Sequence, residues 1–357
     1  MKAIILLWIY LILTLVYASK DQNQRVVSIS YNDLQERFDN DEGNCSNLLE
    51  DIAEAFGPSG LGFLEISDIP QEMVDLRMSI LEMAQALANL PSDELEDITL
   101  PSTFYTIGWS HGKEQFRGEY DTQKGSFYLN PFSKERINVF PESMQPSLED
   151  SLMEMTIFMK QVGLMVAQLC DLYLKQQDNI NISSEVDTIQ ESLQECENAK
   201  ARLLYYFPTG SNEKSKTSSF DDWCGWHKDH GSLTCLLPGM LFAEEDKILE
   251  DGDVAPGLYI QTPHQKQVIH VKMPPTSIGI QLGETLEIQS AGRFRATPHA
   301  VKSGRNGNGR SSLALFLQPM PEQSLPRLYE HVDDKSLQER WRPSFGAFQK
   351  ATTEAFH

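Results

Sequence analysis

The sequence predicts a mainly β protein, a sandwich, jelly roll or barrel with helices on its flanks, and three observations carry that expectation. From Arg202 onward, short β-type runs recur at regular spacing between Gly and Pro breaks. Ahead of them stand three helical stretches whose apolar residues fall at three- and four-residue steps, and a further helical tail follows them. The formal net charge is −21, with 40% hydrophobic and 23% charged residues, which fits a folded, soluble body. That charge also disfavours nucleic acid as a partner, since phosphate binding needs a surplus of Lys and Arg on one face.

Residues 1–18 read as a secretory signal: Lys2, an apolar stretch over 3–16, and small residues at the inspected positions of Val16-Tyr17-Ala18. The polar Lys20-Asp21-Gln22 begins at once, and the stretch is short of the ~20 apolar residues that cross a bilayer. Cleavage after Ala18 is expected, with entry to the ER lumen or secretion and no stable membrane span afterwards. Two sequons, Asn44-Cys45-Ser46 and Asn181-Ile182-Ser183, agree with that route. The five cysteines (Cys45, Cys170, Cys196, Cys224, Cys235) are too few for a disulfide scaffold, and their pairing is unreadable.

An N-terminal region over 19–145 runs strand (26–29), helix (48–56), strand (62–66) and a helix entered at Ile69-Pro70. In that last helix Met73, Leu76, Ile80, Met83, Ala84 and Leu87 form one buried face. The stretch 99–141 is expected to be loop-rich, carrying aromatics beside glycines and single charges and suited to cover a pocket. Residues 146–197 hold a long scaffold helix (147–176) with Leu152, Met155, Met159, Val162, Val166, Leu169 and Tyr173 on one side, then a polar linker. The core, 198–320, is expected to form strands at 203–207, 232–237, 257–261, 268–271, 277–282, 285–288, 297–301 and 312–317. In the tail, 321–357, Leu328, Val332, Leu337, Trp341, Phe345 and Phe348 are available to pack back on the body.

The informative stretch is Trp223-Cys224-Gly225-Trp226-His227-Lys228-Asp229-His230-Gly231. In an extended segment residues two apart share a side, so His227 and Asp229 can reach one metal while Lys228 points away. His299, in a later predicted strand, supplies a third ligand. Two imidazoles and one carboxylate leave three coordination positions open, the arrangement of non-haem Fe(II) oxygenases. A chelating 2-oxo acid with a second carboxylate needs an arginine fork, and Arg310 with Ser312, two apart at the start of a strand, meets that need. The rival is a structural zinc site from Cys224, His227, His230 and Cys235 in a non-catalytic module. Its spacing puts His227 and His230 on opposite faces of a strand and leaves Asp229, His299 and Arg310 without a role.

The His-x-Asp pair, distal His and Arg-x-Ser, in this order and on strands, resemble the isopenicillin-N-synthase-like branch of the Fe(II)/2-oxoglutarate-dependent dioxygenases. Residues 55–70 are similar to the N-terminal region of that family, and the Gly-Trp-Ser-His-Gly-Lys-Glu and Lys-Gly-Ser-Phe-Tyr runs within 108–131 resemble a pattern of its uncharacterised relatives, so the resemblance covers nearly all of the chain after residue 18. It implies a double-stranded β-helix (jelly-roll) core with an α-rich N-terminal region and C-terminal helices. It further implies a catalytic Fe(II) on His227, Asp229 and His299, 2-oxoglutarate on Arg310 and Ser312, and ascorbate as an accessory reductant. The implied reaction is oxidation, most simply hydroxylation, of a small organic substrate with decarboxylation of 2-oxoglutarate to succinate; a peptide or protein side chain is the alternative substrate. Where many members carry Gly-His-Gly-Ile-Pro this chain has Ile66-Ser67-Asp68-Ile69-Pro70, and Tyr205-Tyr206-Phe207-Pro208 replaces Asn-Tyr-Tyr-Pro, so no tyrosine contact to the co-substrate is carried over.

Overall fold

The structure is a computed structural model, and it describes residues 25–39, 45–113, 115–116, 119–120, 122–177, 187–195, 197–208, 223–242, 255–263, 266–302, 308–330 and 332–356. The expected signal segment, the sequon asparagines Asn44 and Asn181, and Cys196 lie outside these residues.

In chain order, the N-terminal part comprises β1 (Val27–Ser30), α1 (Tyr31–Asp39), α2 (Ser46–Phe56), β2 (Phe63–Ser67), α3 (Gln71–Ala88) and α4 (Ser92–Asp97). It continues with β3 (Gly108–His111), β4 (Gln115–Phe116), β5 (Glu119–Tyr120), β6 (Lys124–Leu129), α5 (Ser147–Gln177) and α6 (Ile189–Gln194). The strand-rich part comprises β7 (Lys200–Tyr206), β8 (Cys224–His227), β9 (Leu233–Leu236), β10 (Met240–Phe242), β11 (Gly257–Gln261), β12 (Val268–Val271) and β13 (Ile278–Leu282). After it come α7 (Glu284–Gln289), β14 (His299–Lys302), β15 (Gly309–Leu317), α8 (Lys335–Arg340) and α9 (Phe345–Phe356).

The strands form a major sheet in the order β1-β2-β13-β9-β15-β7-β6-β3, with β10 also on β15, and a minor sheet β12-β11-β14-β8. Strand alternation divides the major sheet into two faces. Its outer face carries Leu64, Ile66, Phe127, Leu203, Leu233, Ile280, Leu313 and Leu315, buried in one cluster with α2, α3 and α5. Along α5, Leu152, Met155, Met159, Val162 and Val166 are fully buried, and each such side chain is worth about 1.5–3 kcal/mol. The length and apolarity of α5 would suffice for a bilayer, yet 67% of its most apolar window is buried in this core. The inner face turns to the minor sheet, where Phe63 packs on Leu258, Ile260 and Val271, and Leu204, Tyr206 and Trp223 pack on Val301. This is the expected jelly-roll architecture with flanking helices, open rather than closed into a barrel.

One expectation needs correction. Residues 285–288 form part of α7, not a strand. A four-residue Thr-Leu-Glu-Ile run has no decisive period, and the helix places Glu284 and Glu287 one turn apart, where Arg340 and Arg295 meet them. Residues 99–141 are loop-rich as expected, with β3 and β6 inside them extending the major sheet beyond β7. Polarity masks their strand signal: Lys124, Ser126 and Tyr128 face inward while Phe127 and Leu129 face the helical core.

The tail packs as expected: Leu337, Phe345 and Phe348 are buried against Ile288 and Leu325, with Leu328, Val332 and Trp341 around them. The space between the two sheets thus has a helical layer behind the major sheet and a second helical cluster at one end.

Candidate metal centre and co-substrate pocket

His227 and His299 are direct cross-strand partners on β8 and β14, followed by a register shift toward Val301 and Cys224. Pairing sets the two rings side by side, with centroids 4.3 Å apart. Asp229 lies just past the end of β8, so the parity argument reaches it through a turn rather than a continuous strand. Lys228 does point away, to Asp334 Oδ2 at 2.9 Å. Asp229 Oδ1 lies 3.7 Å from His227 Nε2 and 3.7 Å from His299 Nε2. One ligand atom from each of the three lies within 4.8 Å of the others, and no other such group of His, Cys, Asp or Glu occurs among the described residues.

Each candidate ligand is oriented by a second contact, as metal-binding side chains require. His227 Nδ1 donates to Gly225 O at 2.7 Å and His299 Nδ1 to Thr297 O at 3.3 Å, which turns both Nε2 atoms toward Asp229. Thr234 Oγ1 on β9 donates to Asp229 Oδ2 at 2.6 Å, leaving Oδ1 for a ligand. Burial, reinforced by His227, holds the His299 ring down at about 4, so it is neutral. Burial alone would raise the Asp229 carboxyl, but His299, His227 and the Thr234 hydroxyl hold it below its ordinary value. The turn itself is fixed from below: Glu284 N donates to Asp229 O at 2.7 Å and Thr285 N to Gly231 O at 3.1 Å. Only glycine fits at the start of α7 here, because a Cβ on Gly283 would come within 2.2 Å of Gly231 O.

Replacing Thr234 by valine keeps the shape and removes the hydroxyl that orients Asp229. Divalent metal affinity is expected to fall about ten- to a hundredfold, measured by competition with a chelator. Unchanged affinity would remove Thr234 from the site.

Arg310 and Ser312 lie on β15, both facing inward and both buried, at 8% and 7% exposure. Arg310 is opposite Tyr206 on one side and Leu241 on the other. Its guanidinium carbon lies 5.6 Å from the Tyr206 ring centroid. Gly239 gives the guanidinium its room, since a Cβ there would sit 2.5 Å from three of its atoms. Burial lowers the Arg310 pKa while Tyr206 opposes that shift, and no carboxylate pairs with it among the described residues. Tyr206 is therefore a pocket residue that the departure from Asn-Tyr-Tyr-Pro hides, and the alternation Arg202, Leu204, Tyr206 along β7 is the signal that finds it.

The four residues of the zinc alternative do not converge. Cys235 is on the outer face, its Sγ donating to Met159 O of α5, and His230 Nε2 meets Gln349 Nε2 of α9 at 3.2 Å. His111, in the stretch expected to cover a pocket, pairs with Gly125 on the outer face of the sheet and lies against Phe207 with ring centroids 4.8 Å apart.

Comparison with known proteins agrees with this geometry. Residues 201–319 match the 2OG-Fe(II) oxygenase superfamily, a segment that contains His227, Asp229, His299, Arg310 and Ser312. UPF0676 protein C1494.01 of Schizosaccharomyces pombe is 22% identical over 308 residues, 84% of this chain and 87% of that protein. Feruloyl CoA ortho-hydroxylase F6H1-1 of Ipomoea batatas is 27% identical over 180 residues, 50% of this chain and 43% of that enzyme. Among solved structures, a full-length Neurospora crassa protein in complex with alpha-KG and 5-formyluracil shares the fold with a TM-score of 0.64 at 16% identity, covering 93% of this chain and 97% of that one. Over residues 201–319 the chain carries a 2OG-Fe(II) oxygenase domain, that of an oxidoreductase of the dioxygenase class with Fe(II) as metal and 2-oxoglutarate as co-substrate.

Proposed function

We propose that the protein hydroxylates a small organic molecule with O2, coupled to decarboxylation of 2-oxoglutarate to succinate, at a centre made by His227, Asp229 and His299. The observation that carries this reading is the joint placement of a His2Asp set on the minor sheet and a buried arginine, Arg310, on the inner face of the major sheet. The donor set fits Fe(II), with three protein ligands of the right chemistry and the remaining positions open. Arg310 fits the far carboxylate of 2-oxoglutarate, because a buried guanidinium held in a glycine-lined recess has its planar fork available for a bidentate anion. When bound, Fe(II) and 2-oxoglutarate together supply the oxidation of a substrate C–H bond by O2, one oxygen atom going to substrate and one to succinate.

The chain's own residues do the rest. The Gly225 and Thr297 carbonyls fix which imidazole nitrogen faces the metal. Thr234 keeps the Asp229 carboxylate in one orientation. Ser312, one inward position along β15 from Arg310, offers a hydroxyl to the same co-substrate carboxylate, and the Tyr206 ring closes the pocket beside it. The ortho-hydroxylase activity of the Ipomoea relative and the small pyrimidine in the Neurospora complex support a small organic substrate over a protein.

The test is anaerobic reconstitution with Fe(II) and 2-oxoglutarate, then O2. A visible metal-to-ligand band followed by succinate and CO2 release is expected; absence of both overturns the reading. Arg310→Gln should leave metal binding in place and raise the 2-oxoglutarate requirement about ten- to a hundredfold, the cost of a lost charge-assisted pair, read from initial rates of succinate formation. Residues 1–18 we infer to direct the chain into the secretory pathway, supported by the Lys2, apolar 3–16 and Val16-Tyr17-Ala18 pattern. Intact-mass measurement of the protein recovered from medium or ER lumen should find Ser19 as its first residue.

A further inference from the structure

One face of α3 is buried against the major sheet through Met73, Ile80, Leu81, Ala84 and Leu87, and Arg77, at 5% exposure, is the one charged residue on that stripe. A guanidinium is costly to bury unless its N–H groups find acceptors, and no carboxylate pairs with Arg77 among the described residues. Its acceptors are main-chain carbonyls far along the chain. Nε donates to Pro238 O at 2.8 Å, and Nη2 donates to Pro238 O and, at 3.2 Å, to Gly239 O. Arg77 lies outside residues 201–319, the segment that matches the oxygenase superfamily.

Pro238 and Gly239 belong to the turn between β9 and β10, two strands that follow one another along β15. This turn is the floor of the Arg310 recess. A Cβ on Gly239 would sit 2.5 Å from Arg310 Cζ, Nε and Nη2, and Leu241, two residues on, is the cross-strand partner of Arg310. Gly239 thus meets two guanidiniums, that of Arg77 at its carbonyl and that of Arg310 over its α-carbon. Burial, and then the nearby Arg310 charge, lowers the Arg77 pKa to about 10, so it stays a cation at neutral pH. Arg77 gives its donors to the turn, whereas Arg310 has no hydrogen-bond acceptor among the described residues, only the Tyr206 ring beside it.

Resting on the iron and 2-oxoglutarate reading, we infer that Arg77 is a positioning residue for the co-substrate: by holding the Pro238 and Gly239 carbonyls it keeps the turn under Arg310 in place and the Arg310 fork open to the far carboxylate of 2-oxoglutarate. A turn gripped at two carbonyls fixes the floor on which the Arg310 guanidinium lies, and a bidentate charge-assisted pair depends on that placement. Without Arg77, Pro238 O loses both bonds it takes from that side chain. A buried carbonyl left unmatched one residue from the glycine under Arg310 then competes with the co-substrate for the fork. In a chain of net charge −21, a second buried cation close to Arg310 also favours an anion there. The metal centre is held separately, by Gly225, Thr297 and Thr234, none of which bonds to Arg77.

The test uses the full chain loaded anaerobically with Fe(II), with 2-oxoglutarate and oxalate as probes. Both chelate a metal through two oxygens, and only 2-oxoglutarate carries a further carboxylate to reach Arg310. Binding is measured by calorimetry, and the metal-to-ligand band of the 2-oxoglutarate complex is recorded in the same sample. Arg77→Met is expected to weaken 2-oxoglutarate about tenfold and to move oxalate less than about twofold. In turnover the same variant should show a raised KM for 2-oxoglutarate with kcat little changed. A merely structural arginine would weaken both probes together or neither; either result, in a variant with the wild-type circular dichroism spectrum, overturns the role of Arg77 alone. A wild type that binds neither probe and shows no band overturns both that role and the iron and 2-oxoglutarate reading on which it rests. Should Arg77→Met fail to fold, Arg77→Gln, whose amide can serve one carbonyl without a charge, is expected to show the same selective loss of 2-oxoglutarate, and an equal or absent loss of the two probes overturns the inference again.

Discussion

Asp229→Ala leaves the protein folded and without iron. Asp229 is the only anionic member of the ligand set, and the two imidazoles that remain, on adjacent strands, bring no negative charge. Removing it deletes a ligand and the charge that offsets Fe(II), and it also strands the Thr234 hydroxyl, whose acceptor at 2.6 Å is gone. Metal affinity is expected to fall at least about a thousandfold, ~4 kcal/mol, and succinate formation to vanish with it. Metal content after dialysis is the deciding measurement: wild-type stoichiometry in the variant would show that the iron sits elsewhere. Lys228→Ala, next in sequence but turned outward to Asp334, should retain full metal content.

The same ligand set is legible in the sequence because it obeys local rules. His227 and Asp229 are two residues apart, Arg310 and Ser312 are two apart on a strand, and the β-type runs around them are regular. What the sequence does not carry is the partner across a strand or turn. Thr234 has no mark as a metal-centre residue until the turn over 229–232 folds its hydroxyl onto Asp229. Lys124 and Ser126 read as loop because a cavity wall is polar where a core strand would be apolar, and only pairing with β7 reveals the alternation. Helix α7 reads as a strand because its identity depends on Arg340 and Arg295, the first of them tens of residues away, satisfying Glu284 and Glu287. Local pattern specifies ligands and scaffold; tertiary pairing decides which polar residues surround them.

Arg340→Met should produce the largest loss of stability of any change outside the centre. Arg340 forms a two-pronged pair with Glu284, Nη2 to Oε1 at 2.7 Å and Nη1 to Oε2 at 2.8 Å, and Nη1 also donates to Thr352 of α9. Both side chains are buried, at 5% and 3% exposure. Removing one partner of such a pair leaves an uncompensated buried charge and costs about 3–5 kcal/mol, whereas Arg340→Met with Glu284→Leu, which removes both, should recover most of it. Burial already raises the Glu284 pKa and Arg340 opposes that shift, so in the single variant the carboxyl rises further and takes up a proton in the folded state. A folded-state pKa above the unfolded one means the native state binds more protons, so the deficit should shrink as pH falls from about 8 toward about 5. The wild type, whose Glu284 is raised less because Arg340 opposes the shift, should gain less over the same range. Denaturant unfolding across this range decides the point; a deficit independent of pH would mean that Glu284 does not respond to the lost arginine. Because Glu284 also donates its backbone N–H to Asp229 O at 2.7 Å, the same variant should bind Fe(II) more weakly than its residual fold would require. Normal metal affinity in a destabilised Arg340→Met protein would instead assign the anchoring of the turn to Thr285 and to the Lys228–Asp334 pair.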